Sequence, residues 1–453
     1  MLYEYVRMKG GEAVARFRRL LAAALILALL TGCSGLSYEG LYSLPRASEA
    51  YYDLQNALNT VLESGYNYCA PASGARQEPV QLTDLDGDGV DEAVAFFRSA
   101  DKGEVKAYIF SQADSVFTPS AVIDGAGSTV AAVEYADLLG NGSLEMIVTY
   151  QVSESVTQAL QVYRYEAGQA DSLLTAGCSR YELGDLDGDG RQELICLTDG
   201  GADTPGQISC YQGAEGKLNL AGDLLLQTPY DQLRKICWGS LEDGCAAVTL
   251  SGTAGDGTLY TEIFTLRDGN LTETTPPEGV AQNQPIHSSY FYPEDLDEDG
   301  FLEFPVTRAL PAYDDGSAAQ WVVDWYTLDS AGTADKEFTA YHNTSEGWYL
   351  LLLEPWNRDL TIKAGAESTS VSTVTLYRGI GSGAGEILTV YTLRGARRQT
   401  YAEEHGLTIL RSDSETENMY AVSLAAAEPW AGTATMAEVS ELFHMTTDKD
   451  IDR

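Results

Sequence analysis

Histidine is scarce in this chain, with four among 453 residues, and none lies in a His-Glu-x-x-His pattern. Gly-x-Ser-x-Gly is absent as well, so neither a zinc-peptidase helix nor a nucleophile elbow is written here. Cysteine is rare, seven in all, with no Cys-x-x-Cys and no Cys/His spacing that would hold zinc. Positive charge is in short supply: 28 Lys and Arg stand against 67 Asp and Glu, leaving −39 at pH 7. That balance argues against nucleic acid, because phosphate binding needs a basic face. No apolar run reaches the roughly 20 residues that a helical membrane span needs. Gly379-Ile-Gly381-Ser-Gly383-Ala-Gly385 lies between two strand-like runs with no helix after it, so it reads as a hairpin loop rather than a phosphate loop. Paired carboxylates for glycoside hydrolysis have ample raw material, but no spacing singles out a pair.

Clustered carboxylates are what the chain has instead. Asp84-Leu-Asp86-Gly-Asp88-Gly-Val-Asp-Glu92, Asp185-Leu-Asp187-Gly-Asp189-Gly-Arg-Gln-Glu193 and Asp295-Leu-Asp297-Glu-Asp299-Gly-Phe-Leu-Glu303 repeat one nine-residue pattern. Two carboxylates ~5 Å apart repel by roughly 3 kcal/mol at an effective dielectric near 20. A hard cation with six to eight oxygen ligands reverses that sign. The other reading is an Asx-rich turn with no ion. Two altered copies fill the gaps. Asp137-Leu-Leu139-Gly-Asn141-Gly-Ser-Leu-Glu145 loses the carboxylate at its third position, and Ser240-Leu-Glu242-Asp243-Gly244 is shorter and lacks the final acid. The five starts are spaced by 53, 48, 55 and 55 residues.

Each motif is followed by a nearly continuous apolar run, such as Ala93–Phe97 and Met146–Tyr150, which predicts a strand buried on both faces. Later strands in each period alternate. No helical pattern of useful length interrupts residues 77–345. Several strands per period of about 50 residues predict a mainly β protein with the blades of a β-propeller, about five of them, with six or seven as the alternative. Pro79–Thr83 precedes the first loop and is expected to close the ring against strands from 304–342. An amphipathic helix is expected over Ser48–Ser64. After residue 345 the character changes to strands, a short helix near Ala396–His405, and a capping box at Thr435-x-x-Glu438, which predicts an α+β domain over 346–453.

The acidic motif resembles the calcium loop of FG-GAP or VCBS-type repeats, the blades of integrin-alpha-like propellers. The resemblance covers about residues 77–345. It implies Ca²⁺ held by Asp84, Asp86, Asp88, the Val90 carbonyl and Glu92; by Asp185, Asp187, Asp189, the Arg191 carbonyl and Glu193; and by Asp295, Asp297, Asp299, the Phe301 carbonyl and Glu303. Glu stands at the ninth position where that family more often has Asp. An EF-hand does not fit, because its twelfth position is Ala95, Cys196 or Val306 rather than a bidentate acid.

At the N-terminus, Arg16, Arg18 and Arg19 precede an apolar run from Leu20 to Leu30, the order of a secretory signal. Leu30-Thr31-Gly32-Cys33 resembles the bacterial lipobox. That resemblance implies a signal peptide over 1–33 with lipid on Cys33, a tether and helix over 34–76, and location on the outer face of a bacterial membrane. Six further cysteines could pair in an exported chain, Cys196 with Cys210 across a hairpin for instance, or stay as buried thiols. Trp321, Trp325, Trp348 and Trp356 cluster near the domain junction, as ligand platforms or as ordinary strand residues. The expected function is a surface lipoprotein whose calcium-stabilised propeller is a binding or adhesion scaffold for an extracellular protein or glycan. An extracellular polysaccharide lyase or hydrolase is the alternative.

Overall fold

The structure, a computed structural model, describes residues 49–113, 116–152, 158–200, 205–227, 232–413, 417–425 and 431–446. The signal peptide, Cys33 and the tether to residue 46 lie outside them. The chain divides into two units. The first, Met1–Thr60 with Gln112–Thr118, contains most of helix α1 (Glu49–Glu63), the helix expected from the apolar spacing. The second, Val61–Ser111 with Pro119–Arg453, carries the sheets.

Six antiparallel sheets follow one another along the described residues. The first holds β1 (Tyr66–Tyr68), β2 (Val80–Thr83), β3 (Glu92–Ser99), β4 (Val105–Ala113) and β5 (Val116–Asp124). The second is the meander β6 (Thr129–Ala136), β7 (Glu145–Gln151), β8 (Gln158–Glu166), β9 (Gln169–Cys178). The third is β10 (Arg180–Gly184), β11 (Glu193–Thr198), β12 (Gln207–Ala214), β13 (Lys217–Leu225). The fourth is β14 (Leu233–Ser240), β15 (Ala246–Thr253), β16 (Leu259–Arg267), β17 (Asn270–Thr274), with β18 (Gln282–Asn283) also on β16. The fifth is β19 (Phe304–Ala309), β20 (Trp321–Leu328), β21 (Ala334–Asn343), β22 (Trp348–Leu352), and the sixth spans β23 (Leu360–Ser368), β24 (Val371–Arg378), β25 (Gly385–Leu393), β26 (Thr408–Ser412) and β27 (Met419–Leu424). Successive meanders of this kind have the topology of propeller blades. Their number exceeds the five expected from the motif count, because the sixth sheet has no acidic loop to announce it.

The second strand of a sheet is apolar throughout because it serves two neighbours at once. Side chains alternate between the faces of a strand. In β7, Val148 joins Val94 and Phe96 of the first sheet, while Ile147 joins Leu194 and Cys196 of the third. In β11 the roles reverse by one residue: Ile195 and Leu197 meet Val248 and Phe264 of the fourth sheet. Ala247 and Ile263 then face Phe304 and Leu328 of the fifth. Val322, Trp348 and Leu350 of the fifth face Ile362, Leu376 and Val390 of the sixth. The other face of the sixth sheet is covered by helix α2 (Arg398–Glu404) through Ala402. Each fully buried side chain of Val, Leu, Ile or Phe size stabilises by about 1.5–3 kcal/mol before entropy is counted. Two glycines let adjacent sheets come close: a methyl on Gly184 would lie 2.4 Å from the Trp238 ring, and one on Gly239 would lie 2.5 Å from Leu302.

Three expectations change. β2 pairs with β3, Thr83 opposite Glu92, rather than with a strand from 304–342, because the tight acidic loop turns the chain straight back on itself. The expected boundary at 345/346 falls between β21 and β22, which pair across it. The chain also returns at β28 (Phe443–Met445) to add an edge strand to β22, so the fifth sheet draws on both sides of that boundary. The strands and short helices expected over 346–453 are present, and the Thr435 capping box forms at the start of α3 (Met436–Leu442). The described cysteines are free thiols. Cys196 and Cys210 cannot bridge their hairpin, since the register places them on opposite faces of the third sheet.

His342 on β21 is fully enclosed by aromatic rings: Phe291 at 4.5 Å, Tyr349 at 5.1 Å and Trp325 at 5.8 Å between centroids. Its Nε2 has no hydrogen-bond partner. Burial holds its imidazole neutral down to about pH 3, far below the ordinary value of 6.5. The unfolded chain therefore takes up the proton first, so this group's contribution is complete above pH 6.5 and shrinks as pH falls toward 3. Between pH 7.5 and pH 5 the loss should be about 2 kcal/mol. His342→Phe, which keeps a ring in the stack, should remove that component. Urea midpoints at the two pH values check it, and equal pH dependence in both proteins would contradict the assignment.

Candidate metal centres

The acidic motifs join β2 to β3 and β10 to β11, and in the fifth sheet the motif leads directly into β19. The first acid builds the turn. Asp84 Oδ1 accepts from the Gly87 amide at 2.8 Å, and Oδ2 accepts from the Gly89 amide at 2.9 Å. Asp185 repeats this with Gly188 at 2.7 Å and Gly190 at 2.8 Å, and Asp295 accepts from Gly300 at 3.0 Å. The acids at positions 3 and 5 each accept from the amide two residues on, as in Asp88 from Val90 at 2.7 Å. Positions 4 and 6 adopt the left-handed conformation, with Gly87 at φ 76° and Gly89 at 88°. Only the fifth sheet's loop asks a side chain to do this, at Glu298 with φ 62°.

The ninth residue ties the loop to the core. Glu92, Glu193 and Glu303 are buried at the start of apolar strands, and each accepts from the amide at position 2. The bonds are Leu85 to Glu92 at 3.0 Å, Leu186 to Glu193 at 2.7 Å and Leu296 to Glu303 at 2.7 Å. One oxygen of each is thus used by the turn, and the second Glu303 oxygen is buried without a partner. Burial, reinforced by the neighbouring Asp carboxylates, pushes Glu92 and Glu193 up to about 7 and Glu303 up to about 8. Burial and the adjacent acid also raise Asp86 and Asp297.

The structure gathers most of the expected ligands. Asp295, Asp297, Asp299 and Glu303 each bring a carboxylate oxygen within 4.8 Å of the others. Asp84, Asp86 and Glu92 do the same, as do Asp185, Asp187 and Glu193. Asp88 and Asp189 stand outside these groups. Asp189 is engaged instead by the Arg191 guanidinium, whose Nε lies 2.8 Å away, and this ion pair holds the Asp189 carboxyl below its ordinary value. The donor set is all oxygen, which suits a hard cation such as Ca²⁺ and excludes a thiol-seeking metal. The orphaned Glu303 oxygen gives such an ion a direct role. The second sheet's loop keeps the turn, with Asp137 accepting from Gly142 at 2.9 Å, and also leaves one buried Glu145 oxygen without a partner. In the fourth loop the acids are spent elsewhere, Glu242 on Thr327 and Asp243 on Ser330.

Adjacent loops interlock. Ser143 donates to the Asp86 carbonyl at 3.2 Å and the Leu144 amide to the Leu85 carbonyl at 2.8 Å; Leu302 donates to Ser240 at 2.8 Å. The aromatic cluster does not form an exposed platform: Trp325, Trp348 and Trp356 are fully buried, and Trp356 Nε1 donates to the Gly432 carbonyl at 2.7 Å.

One cavity of about 420 Å³ lies on the fourth sheet, and the sequence offers no local sign of it. Gln227 joins two of its acids, its amide donating to Glu262 at 2.7 Å and its side chain to Glu273 at 3.0 Å. Burial, then the proximity of Glu262, raises the Glu273 carboxyl. These residues come from three segments, so no motif could reveal them.

No family model matches the chain, and no curated protein does either. Among solved structures, a Lactobacillus plantarum protein is similar at 12% identity over 69% of this chain and 84% of its own, with a TM-score of 0.27. The Dos1 propeller is similar at 13% identity over 70% and 68%, with a TM-score of 0.29. A rhamnogalacturonan lyase of Bacillus licheniformis is similar at 12% identity over 79% and 72%, with a TM-score of 0.25.

Turn-building and ion-holding acids should separate by mutation. Asp84→Ala removes two hydrogen bonds from amides and should destabilise by about 2–3 kcal/mol already in EDTA, and by more when a divalent cation is supplied. Asp86→Ala relieves repulsion in EDTA, so it should be neutral or stabilising there and destabilising only when a divalent cation is supplied. Chemical denaturation of both variants in EDTA and in millimolar metal checks this; equal effects of the two in EDTA would contradict it.

Proposed function

We propose that the chain is a bacterial surface lipoprotein, anchored through Cys33, whose sheets form a calcium-stabilised propeller serving as a binding or adhesion scaffold. The observation that carries the reading is the set of three oxygen-only carboxylate groups at equivalent places in three sheets. Each group sits where one sheet's loop meets the next or leads into a buried strand. An ion there offsets the mutual repulsion of the acids and stiffens the connection. The ligand is an extracellular protein or a glycan.

Calcium bound only by the folded chain adds RT ln(1 + [L]/Kd), about 2.7 kcal/mol per site at a hundredfold excess over Kd. The melting temperature should therefore climb from EDTA to millimolar Ca²⁺, and climb less with Mg²⁺, which is smaller and dehydrates reluctantly. A flat melting temperature across that series would remove structural calcium from the reading. Lipidation is tested separately: expressed in a bacterium fed an alkyne fatty acid, the native chain should carry the label and Cys33→Ser should not.

The cavity holding Glu262 and Glu273 favours a second reading, an extracellular enzyme acting on polysaccharide. One carboxyl raised beside another is the arrangement that general acid–base chemistry on a glycosidic bond requires. Turnover of a plant and microbial glycan panel, lost at least a hundredfold in both Glu262→Gln and Glu273→Gln, would establish it. No turnover by the native protein would leave the scaffold reading.

A further inference from the structure

Arginine is thinly spread through this acidic chain, yet three of its arginines fall within five residues, Arg394-Gly-Ala-Arg397-Arg398. The fold gathers them around a cavity of about 350 Å³ in the sixth sheet. One wall is the turn between β23 and β24, with Ser368 and Ser370; the opposite wall is the connection from β25 into α2, ending at Tyr401 and Glu404. The volume is that of a small-ligand site.

The three guanidiniums are held differently. Arg394 is anchored: one terminal nitrogen donates to Ser372 Oγ at 2.9 Å, the other pairs with Glu346, and its backbone amide donates to the Ser370 carbonyl at 2.9 Å. Arg398 gives one nitrogen to the Gly395 carbonyl at 3.0 Å, and among the described residues its other guanidinium donors have no hydrogen-bond partner. The Arg397 side chain is exposed and makes no hydrogen bond or ion pair among the described residues, while its backbone carbonyl accepts from the Tyr401 amide at 2.9 Å. Three like charges brought this close repel one another. The chain carries many carboxylates that would relieve them, and among the described residues only Glu346 is paired with one of them. Glu404 lines the same cavity, and Glu367 is taken up by the Tyr401 hydroxyl.

We infer that this cavity binds an oxyanion carried on a hydroxyl-rich body, a sugar acid or a sugar phosphate. Guanidinium forks match carboxylate and phosphate oxygens in pairs. The Ser368 and Ser370 hydroxyls and the Glu404 carboxylate supply the donors and acceptors that sugar hydroxyls need. The long-range field of the protein repels anions, so recognition here is local and short-ranged. Salt screens both contributions, weakening the attraction to the arginines and also the repulsion from the rest of the chain.

Calorimetric titration of the full chain with glucuronate, glucose 6-phosphate, glucose and inorganic phosphate tests the inference. At least one of the two acid sugars should bind tenfold or more tightly than glucose, and which one does so separates a carboxylate from a phosphate source. Arg397→Ala removes an exposed side chain with no partner, so it should keep the native melting temperature while weakening that sugar at least fivefold; Arg397→Ala with Arg398→Ala should abolish the preference over glucose. Equal binding of the acid sugars and glucose, no binding of either acid sugar, or native affinity in Arg397→Ala would overturn the site. Inorganic phosphate held as tightly as glucose 6-phosphate would overturn the role given to the hydroxyls.

Discussion

The bond between the buried glutamate at the head of a strand and the leucine amide seven residues earlier is the constraint on which the rest hangs. It recurs at Glu92, Glu145, Glu193 and Glu303. Leu85, Leu138 and Leu186, the residues whose amides are bound, are themselves completely buried. Each loop is therefore pinned to the core by an apolar side chain and by a carboxyl group set in an apolar surrounding that raises it to about 7 or 8. Burying an ionised carboxyl is costly unless it is paired and hydrogen-bonded. The side chain that closes the turn with one oxygen also sets its carboxyl among the neighbouring Asp carboxylates, so the architecture and the acidic cluster arise from one choice of residue.

Much of this was legible in the sequence because it is local. The motif closes on itself within nine residues, and the strand after it is apolar throughout for a reason that periodicity reveals. The Thr435 capping box is equally short in range, and it forms as read. What was not legible depends on partners far apart in the chain. The sixth sheet lacks an acidic loop, so the repeat loses its marker just where the count should continue. The pairing of β28 with β22 joins residues separated by an entire sheet. Gln227, Glu262 and Glu273 meet only because the segment after β13 converges on β16 and β17 of the next sheet.

The loops also show what loss of a carboxylate does. At 137 the frame survives without its third acid, because the turn needs only the first acid, the small residues and the ninth. At 240 the acids are captured by Thr327 and Ser330 of the next sheet, and the connection between sheets is kept by ordinary hydrogen bonds. Clustering carboxylates and joining sheets are thus separable, and three of the loops do both. The arginine-lined cavity lies in the one sheet without such a loop, so the clustered carboxylates and the clustered arginines occupy different sheets.

The returning edge strand at Phe443–Met445 has a consequence for the order of assembly. As the polypeptide emerges from the ribosome, the first four meanders can each close on residues already made. The fifth must wait, its last edge bare, while everything in the sixth is synthesised. Until then an apolar-flanked strand stands open to pairing with another molecule. The stretch at Phe443–Met445 therefore acts as a latch over the edge of β22.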